Sequence, residues 1–458
     1  MGNIIAQICE NFISEVTNFF GENKIKSIEE MEINLKQKAD RFVMEMMQVY
    51  LEGLDQAIIE DKAGRRRKGI VIERKEDKRE IYTRFGQLKF KRTYYYDKKR
   101  DEYVYLLDQA VGLEGYERIS YTVGADLIEH AAEASYGESS RHVCNGEISR
   151  QTVMNKLRSI KELKIELPKE RRKVKVIHIE ADEDHVSLQD GTTTIVPLIS
   201  IHEGVEREGK RGQCKNIHHI SSYGKVPEEL WLEAVEWIYS AYDVEGIERI
   251  YIHGDGASWI KEGLKWVPKA KIVLDRYHLN QAVMEVTGKQ HGLRKEIYSA
   301  IRDGDKEKFK QVIKELYRYA ISDNERERID NFRRYVIKNW EGITIYGEEG
   351  CEGSCTEGHV SHVLSSRLSS RPMGWSREGL KAMAELRAYY CNGGRIEVKH
   401  LKSAEECYRP SKKVLEKAAK AFRNFGMEKL NNIALLRYGK VTPLFRCLKT
   451  IQYSGYVL

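Results

Sequence analysis

The run Val174-Lys175-Val176-Ile177-His178-Ile179-Glu180-Ala181-Asp182 constrains this chain more than any other stretch. Its β-branched residues alternate with polar ones, the pattern of a strand, and it delivers an acid, Asp182, at the expected carboxyl end. Val186-Ser187-Leu188, an Asp190-Gly191 turn and a β-rich run over 192–202 come next, and a third strand is expected near 216–222. Connections of hairpin length make these three strands antiparallel. Pro227 then opens a helix with Leu230, Ala234, Ile238 and Tyr239 on one stripe, and 247–253 is a strand delivering Asp255 inside Gly254-Asp255-Gly256. A short helix through Trp259, Leu264 and Trp266 leads to a last apolar run at 271–274, ending at Asp275. The order β-β-β-α-β-α-β-α, with acids closing the first and fourth strands, describes an α/β fold of the ribonuclease H-like kind. Strand ends in one sheet are close neighbours, so Asp182 and Asp255 converge, and a third acid is expected from a later helix.

Apolar residues at helical spacing fill the stretch from Leu293 to Trp340, with Phe309, Val312, Ile313, Leu316 and Tyr317 in one group and Ile329, Phe332, Tyr335 and Val336 in the next. No strand pattern interrupts them, so about 285–345 reads as a helical insertion. A Gly-rich loop at 349–355 follows and passes into a helix bearing Glu357. Three carboxylates around a polar crevice form an oxygen-only site suited to Mg²⁺ or Mn²⁺. Two such ions roughly 4 Å apart activate the attacking oxygen and stabilise the leaving one in an in-line phosphoryl transfer. Each acid also has a plainer role open to it: an acidic loop for Asp182, a Gly-flanked turn for Asp255, and a capping box in Ser354-Cys355-Thr356-Glu357.

Charge is distributed unevenly. Residues 61–100 hold sixteen Lys and Arg against six Asp and Glu, more than the +7 of the whole chain. Concentrated positive charge is what phosphate neutralisation needs, so this region, and Arg65, Arg66, Arg67 and Lys68 in particular, is a candidate DNA-binding surface; the alternative is a solvated basic face. The pattern there is β-rich and aromatic over 61–107. Before it, 1–60 reads as helical, with stripes through Ile4, Ile5, Ile8, Phe12 and Phe42, Val43, Met46, Met47, as in a packing or dimerisation element. After it, 108–170 holds a helix, a turn at Cys144-Asn145-Gly146 and a Ser149-capped helix, the grammar of a helix-turn-helix. Arg150, Gln151, Asn155 and Lys156 fall on its outer face, where base edges or phosphates are met.

The run Thr356-Glu357-Gly358-His359-Val360-Ser361-His362-Val363, with Arg367, Arg371-Pro372-Met373-Gly374-Trp375-Ser376 and Gly379-Leu380-Lys381-Ala382-Met383-Ala384-Glu385-Leu386-Arg387, resembles the glutamate block of bacterial insertion-sequence transposases of the DDE type, notably the ISLre group. Ile179-Glu180-Ala181-Asp182-Glu183-Asp184-His185-Val186 resembles that group's first block, and His253-Gly254-Asp255-Gly256 its second. Leu274-Asp275-Arg276-Tyr277-His278 is similar to the Asp-x-x-His element of related Mutator-like enzymes. The glutamate block is long and specific, the aspartate blocks are short, and the similarity covers most of the chain. It implies that Asp182, Asp255 and Glu357 are the catalytic, metal-binding triad, with Asp184 and Glu397 as rivals for the first and third places. Asp275 and His278 take a supporting role beside the site. Cys351, Cys355, His359 and His362 have spacing compatible with zinc, a competing use of the same segment.

The expected organisation is a helical region at 1–60, a basic β-rich region at 61–107, a helix-turn-helix-like region at 108–170, a catalytic domain at 171–390 and a C-terminal region at 391–458. The expected activity is cleavage at the ends of a mobile element and joining to target DNA, with two ions of Mg²⁺ or Mn²⁺ as cofactor. The expected partners are element-end DNA, target DNA and at least one further copy of the chain. A structure-selective nuclease without strand transfer and a DNA-binding regulator with an inert catalytic domain are the alternatives. No apolar run approaches 18 residues and the eight cysteines are sparse for a chain of 458, which fits reduced thiols and a cytoplasmic, nucleoid-associated protein without membrane spans.

Overall fold

The computed structural model describes residues 2–22, 25–160, 162–208, 211–348, 350–351, 354–371, 373–402, 408–423 and 446. They form two compact units, Met1–Asp126 with Lys402–Leu458, and Leu127–Leu401.

In the first unit, α1 (Gly2–Gly21) and the long α2 (Ile28–Glu60) pack through Phe12 and Phe42, ring centroids 4.8 Å apart. Ser27 and Glu30 close a capping box that fixes where α2 starts. α3 (Lys62–Lys68) ends at Gly69, whose φ of 80° is the left-handed cap that lets the chain turn into a strand. β1 (Ile70–Thr83) and β2 (Gly86–Asp97) form an antiparallel hairpin, and β3 (Glu102–Val104) adds a short third strand before α4 (Leu106–Val111). The core of this unit joins Leu51, Leu54 and Ile58 of α2 to Ile81, Leu88, Phe90 and Tyr95 of the hairpin.

The second unit carries the mixed sheet. α5 (Tyr121–Ala131), α6 (Tyr136–Cys144) and α7 (Arg150–Arg158) lead into it. Asn145, with φ 51°, and Gly146, with φ 82°, make the turn between α6 and α7, and the Ser149 side chain caps α7 by accepting the Thr152 N–H. The strands are β4 (Val176–Ser187), β5 (Thr193–His202), the small hairpin β6 (Val205–Glu208) and β7 (Arg211–Cys214), and β8 (His218–Ser221). α8 (Pro227–Ala241), β9 (Arg249–Gly254), α9 (Ser258–Trp266) and β10 (Ala270–Leu274) complete the core. Five strands order as β10-β9-β4-β5-β8, with β10, β9 and β4 parallel, β5 antiparallel to β4, and β8 antiparallel to β5. Beneath one face, Ile177, Ile179, Ala181, Ile199, Ile201 and Ile252 pack on Leu230, Trp231, Ala234 and Ile238 of α8.

α10 (Arg276–Thr287), α11 (His291–Arg302), α12 (Lys306–Tyr319), α13 (Asp323–Lys338) and α14 (Trp340–Thr344) form the expected all-helical stretch, with its own core around Phe309, Leu316, Phe332 and Trp340. α15 (Thr356–Val360) runs on through a π-helical turn at Ser361–Ser365 into α16 (Ser366–Leu368). α17 (Arg377–Cys391) and α18 (Val398–Leu401) end the unit, and α19 (Lys412–Arg423) returns to the first, where Val414 and Ala418 join the core with α2. Most of the expected C-terminal region lies outside the described residues.

One strand departs from expectation. Asp182 does not end β4, which continues to Ser187 because pairing with β5 runs on from Asp182↔Leu198 to Ser187↔Thr193. The parallel partner leaves earlier, its last pair being Glu180↔His253. Asp182 therefore sits at a fork, one pleat beyond the point where β9 departs. Among the described residues no helix is long and apolar enough to cross a membrane.

Candidate active site

β4 builds the site from a period of two. Ile177, Ile179 and Ala181 are fully buried in the apolar core, so His178, Glu180, Asp182 and Asp184 face the other side of the sheet. The register extends this polar face: His202 lies opposite His178 and Ser200 opposite Glu180 on β5, and His253 lies opposite Glu180 on β9.

The three acids on this one strand have three different fates. Glu180 is 1% exposed and accepts the Cys355 backbone N–H at 2.7 Å, His359 Nδ1 at 2.6 Å and His202 Nε2 at 3.3 Å. Burial opposes its ionisation, but the hydrogen bonds from His202 and His359 outweigh burial and hold its carboxyl well below the usual range. Asp184, also buried, accepts the Ser369 hydroxyl at 2.9 Å, and burial pushes its pKa up. Asp182, between them, is half-buried and accepts the Glu183 backbone N–H at 2.9 Å. Burial raises its carboxyl to about 6, with the Asp255 charge adding to the rise and His278 opposing it. Asp184, the rival for the first position, is thus occupied with Ser369 rather than with Asp255.

Asp255 follows β9 directly. Gly254 is required before it because a Cβ there would stand 2.9 Å from the Ala181 carbonyl oxygen and 2.7 Å from Ile260 Cδ1. Gly256 is required after it by a φ of 89° and by Asn339 Oδ1, 2.8 Å from where a Cβ would be. Asp255 accepts the Ala257 N–H at 2.8 Å, which turns the chain into α9. Lys261 stands close enough to feel Asp255, while burial and Lys338 push its own pKa down. Asp275 is buried and caps α10 through the Tyr277 N–H at 2.7 Å, and its own N–H bonds to the Gly254 carbonyl at 2.8 Å. His278, in the next turn, is the member of that element near Asp182.

Glu357 lies in the first turn of α15, exposed, on a helix packed against β4. Asp182 and Asp255 stand close enough for the charge of one to act on the other, and the helix bearing Glu357 packs on β4, the strand of Asp182; among the described residues no three side chains close into a ready metal cluster. Glu397 is engaged elsewhere, with Lys399 at 3.3 Å and its backbone N–H bonded to His400. The zinc-like spacing is not realised as a closed site either, because His359 turns Nδ1 to Glu180 and Nε2 to Cys214 Sγ at 3.6 Å.

Sequence reasoning gave no role to Glu180, His202, His253, Ser369 and Arg387, and placed His359 only in the zinc-like spacing. Arg387 of α17 donates to carbonyls of the π turn after α15, those of His362 at 2.6 Å and Val363 at 2.8 Å. His253, pushed down to about 3 by burial, is neutral; among the described residues its Nδ1 meets no hydrogen-bond partner, so the cheaper arrangement has Nε2–H donating to His178 Nδ1 at 3.0 Å. The available signal was the alternation His178-x-Glu180-x-Asp182-x-Asp184 in a strand whose other face is wholly apolar.

The residues proposed to meet DNA divide in a similar way. Arg66, Arg67 and Lys68 are exposed, and the Lys68 ammonium sits 4.6 Å from the Tyr408 ring centroid. Arg65 is buried and bonds the last carbonyls of α2, Ile58 at 3.1 Å and Ile59 at 2.7 Å, so it serves as a C-terminal cap rather than a phosphate ligand. Arg150, Gln151 and Asn155 are exposed on α7, with Gln151 Nε2 bonded to Asn155 Oδ1 at 3.0 Å; Lys156 is half-buried.

Residues 22–404 match a family described as an uncharacterised protein family, UPF0236. The chain belongs to the UPF0236 family. A UPF0236 protein of Caldanaerobacter subterraneus subsp. tengcongensis is 43% identical over 463 residues, spanning 99% of this chain and 98% of its own length. Another from the same bacterium, 42% identical over 464 residues, has a name that joins eleven locus designations, and it too spans 99% of this chain and 98% of its own length. A UPF0236 protein of Streptococcus gallolyticus, named for its position in a vanSb 3′ region, is 28% identical over 388 residues, covering 80% of this chain and 84% of itself. UPF0236 thus includes many paralogues within one bacterium.

Proposed function

We propose that this chain is a DNA transposase of the DDE type, cutting the ends of its own element and joining them to target DNA by divalent-metal-dependent phosphoryl transfer on a ribonuclease H-like domain. The observation that carries the reading is the pair Asp182 and Asp255 at the fork of a five-stranded sheet, ordered with the first strand central, the second antiparallel to it and the third antiparallel to the second on one side, and the fourth and fifth parallel to the first on the other. Occurrence of one UPF0236 protein under eleven locus designations in a single bacterium supports it, since self-copying elements accumulate this way.

The donors fit a hard cation: both are carboxylates, and the burial and like charge that raise Asp182 are costs that a bound cation would relieve. Asp182, Asp255 and Glu357 would hold Mg²⁺ or Mn²⁺, which would activate the attacking oxygen and stabilise the leaving one. Asn339 and Gly256 pack the Asp255 turn, Asp275 ties α10 to the end of β9, and Lys261 keeps positive charge beside Asp255. Arg66, Arg67 and Lys68 would neutralise phosphates, and Arg150, Gln151 and Asn155 would read base edges. The assembly would hold at least two copies, because two ends are joined in one event, and it would work at the nucleoid of the cytoplasm.

The test is incubation of the full chain with Mg²⁺, a labelled duplex carrying the sequence that borders the gene, and a target plasmid. Cleaved ends joined to plasmid are expected. Cleavage without joining would move the assignment to a nuclease, and sequence-specific binding without metal-dependent cleavage to a DNA-binding regulator.

A further inference from the structure

We propose that Glu180 is a positioning residue for the site, holding the helical segment that carries Glu357 in place against β4. This rests on the reading of Asp182, Asp255 and Glu357 as metal ligands.

Glu180 meets the segment twice, at positions that bracket Glu357. Oε1 accepts the Cys355 N–H, just before α15, and Oε2 accepts His359 Nδ1, one half-turn beyond Glu357. The far end is tied by the same strand: Asp184 accepts the Ser369 hydroxyl just past α16. Side chains two apart on a strand share a face, so Glu180 and Asp184 grip the two ends of residues 355–369 while Asp182 between them accepts the Glu183 N–H. A buried carboxylate costs free energy unless it is fully hydrogen-bonded, and His202 supplies the third donor. The Gly204 N–H donates to His202 Nδ1 at 3.1 Å, which leaves Nε2–H to point at Glu180. Position therefore passes from β5 through His202 and Glu180 to the first turn of α15. That turn is five residues long and is followed by a π turn, so it has little rigidity of its own.

The experiment is Mn²⁺ binding by calorimetry on the full chain, with cleavage kinetics and hydrogen exchange, for the parent, Glu180→Gln, His359→Ala and His359→Asn. Gln at 180 and Ala at 359 should weaken Mn²⁺ binding and lower kcat by about 10- to 100-fold, the usual effect of losing a group that orients a metal ligand, with KM for DNA unchanged and faster exchange over 355–360. Asn at 359 carries an N–H near the place of Nδ1 and should restore binding toward the parental value. If Glu180→Gln does not fold, the two His359 variants decide alone. Parental Mn²⁺ affinity and kcat in His359→Ala overturns the positioning role while leaving the metal site standing. A parent that binds no Mn²⁺ removes the metal site itself, and with it this role.

Discussion

β1 and β2 in the first unit and β4 in the second are long strands rich in ionisable residues, and they use them in opposite ways. On the hairpin most charges face water and meet partners, Lys89 with Glu80 and Lys91 with Glu76 across the strands, each at 3.1 Å, and Arg74 with Asp77 along β1 at 2.5 Å; the buried Arg92, paired with Asp108 of α4, is the exception. Exposed pairs of this kind are worth about 0–1 kcal/mol each and leave a surface that salt can screen. On β4 the acids are buried or half-buried beside histidines and backbone N–H groups, with no lysine opposite them in the strand register. There each carboxylate is held by hydrogen bonds of fixed direction, and the acid with the fewest restraints, Asp182, is the one raised to about 6. Paired surface charge gives solubility and long-range attraction, whereas buried acid without a counter-cation is poised to take one.

The largest effect that could break this contrast is on chemistry. Asp182→Asn, Asp255→Asn and Glu357→Gln should each reduce cleavage to background while DNA binding persists; a Glu357→Gln protein that still cleaves would remove that residue from the triad. Mg²⁺ or Mn²⁺ should support the reaction, Ca²⁺ poorly because its larger, looser shell holds the reacting oxygens less well. Cys351→Ser and Cys355→Ser should cleave as the parent does, and about one zinc per purified chain, absent from these variants, would reverse that expectation.

Next in size is the response of the basic run. Neutralising Arg66, Arg67 and Lys68 together should weaken binding to all DNA sequences and flatten the slope of log affinity against log salt by about 0.9 for each phosphate left without its cation. Replacing Arg150, Gln151 and Asn155 should leave that slope alone and erase the preference for element ends in a competition assay. Arg65→Ala separates the two kinds of arginine: it should lower stability by about 1–3 kcal/mol in urea denaturation, since two carbonyls lose a charged donor, without affecting the salt slope.

The smallest effect is a gain. A carboxyl whose pKa is raised on folding binds its proton more tightly in the folded state, so Asp182 costs nothing below about pH 4 and progressively more as pH rises through about 6. Asp182→Asn should therefore melt higher than the parent at pH 7, equally at pH 3.5, and the gain should shrink when Mg²⁺ is added. An unchanged melting difference across that range would mean that Asp182 is better solvated than its surroundings indicate.

The sequence alone determined the parts governed by local rules. Alternation and turn residues located β4, β5, β8, β9 and β10; three-to-four spacing located the helical stretch over α10–α14; Ser149 and Asn145-Gly146 set the α6–α7 turn. Asp255 was legible because Gly254, Gly256 and the end of β9 mark it, whereas Asp182 was expected at a strand end that pairing with β5 carries on to Ser187. What only the tertiary structure decided was which of several like residues does what. Glu180, Asp182 and Asp184 are indistinguishable as a pattern, and Arg65 is indistinguishable from Arg66, because the chain records residue type but not which neighbours the sheet register and helix packing bring within about 3 Å, the reach of a hydrogen bond. Over so short a distance, the fates of these acids, and of an arginine that caps instead of reaching outward, were fixed by residues far away in sequence: His359, Ser369 and Asp255 for the acids of β4, and the end of α2 for Arg65.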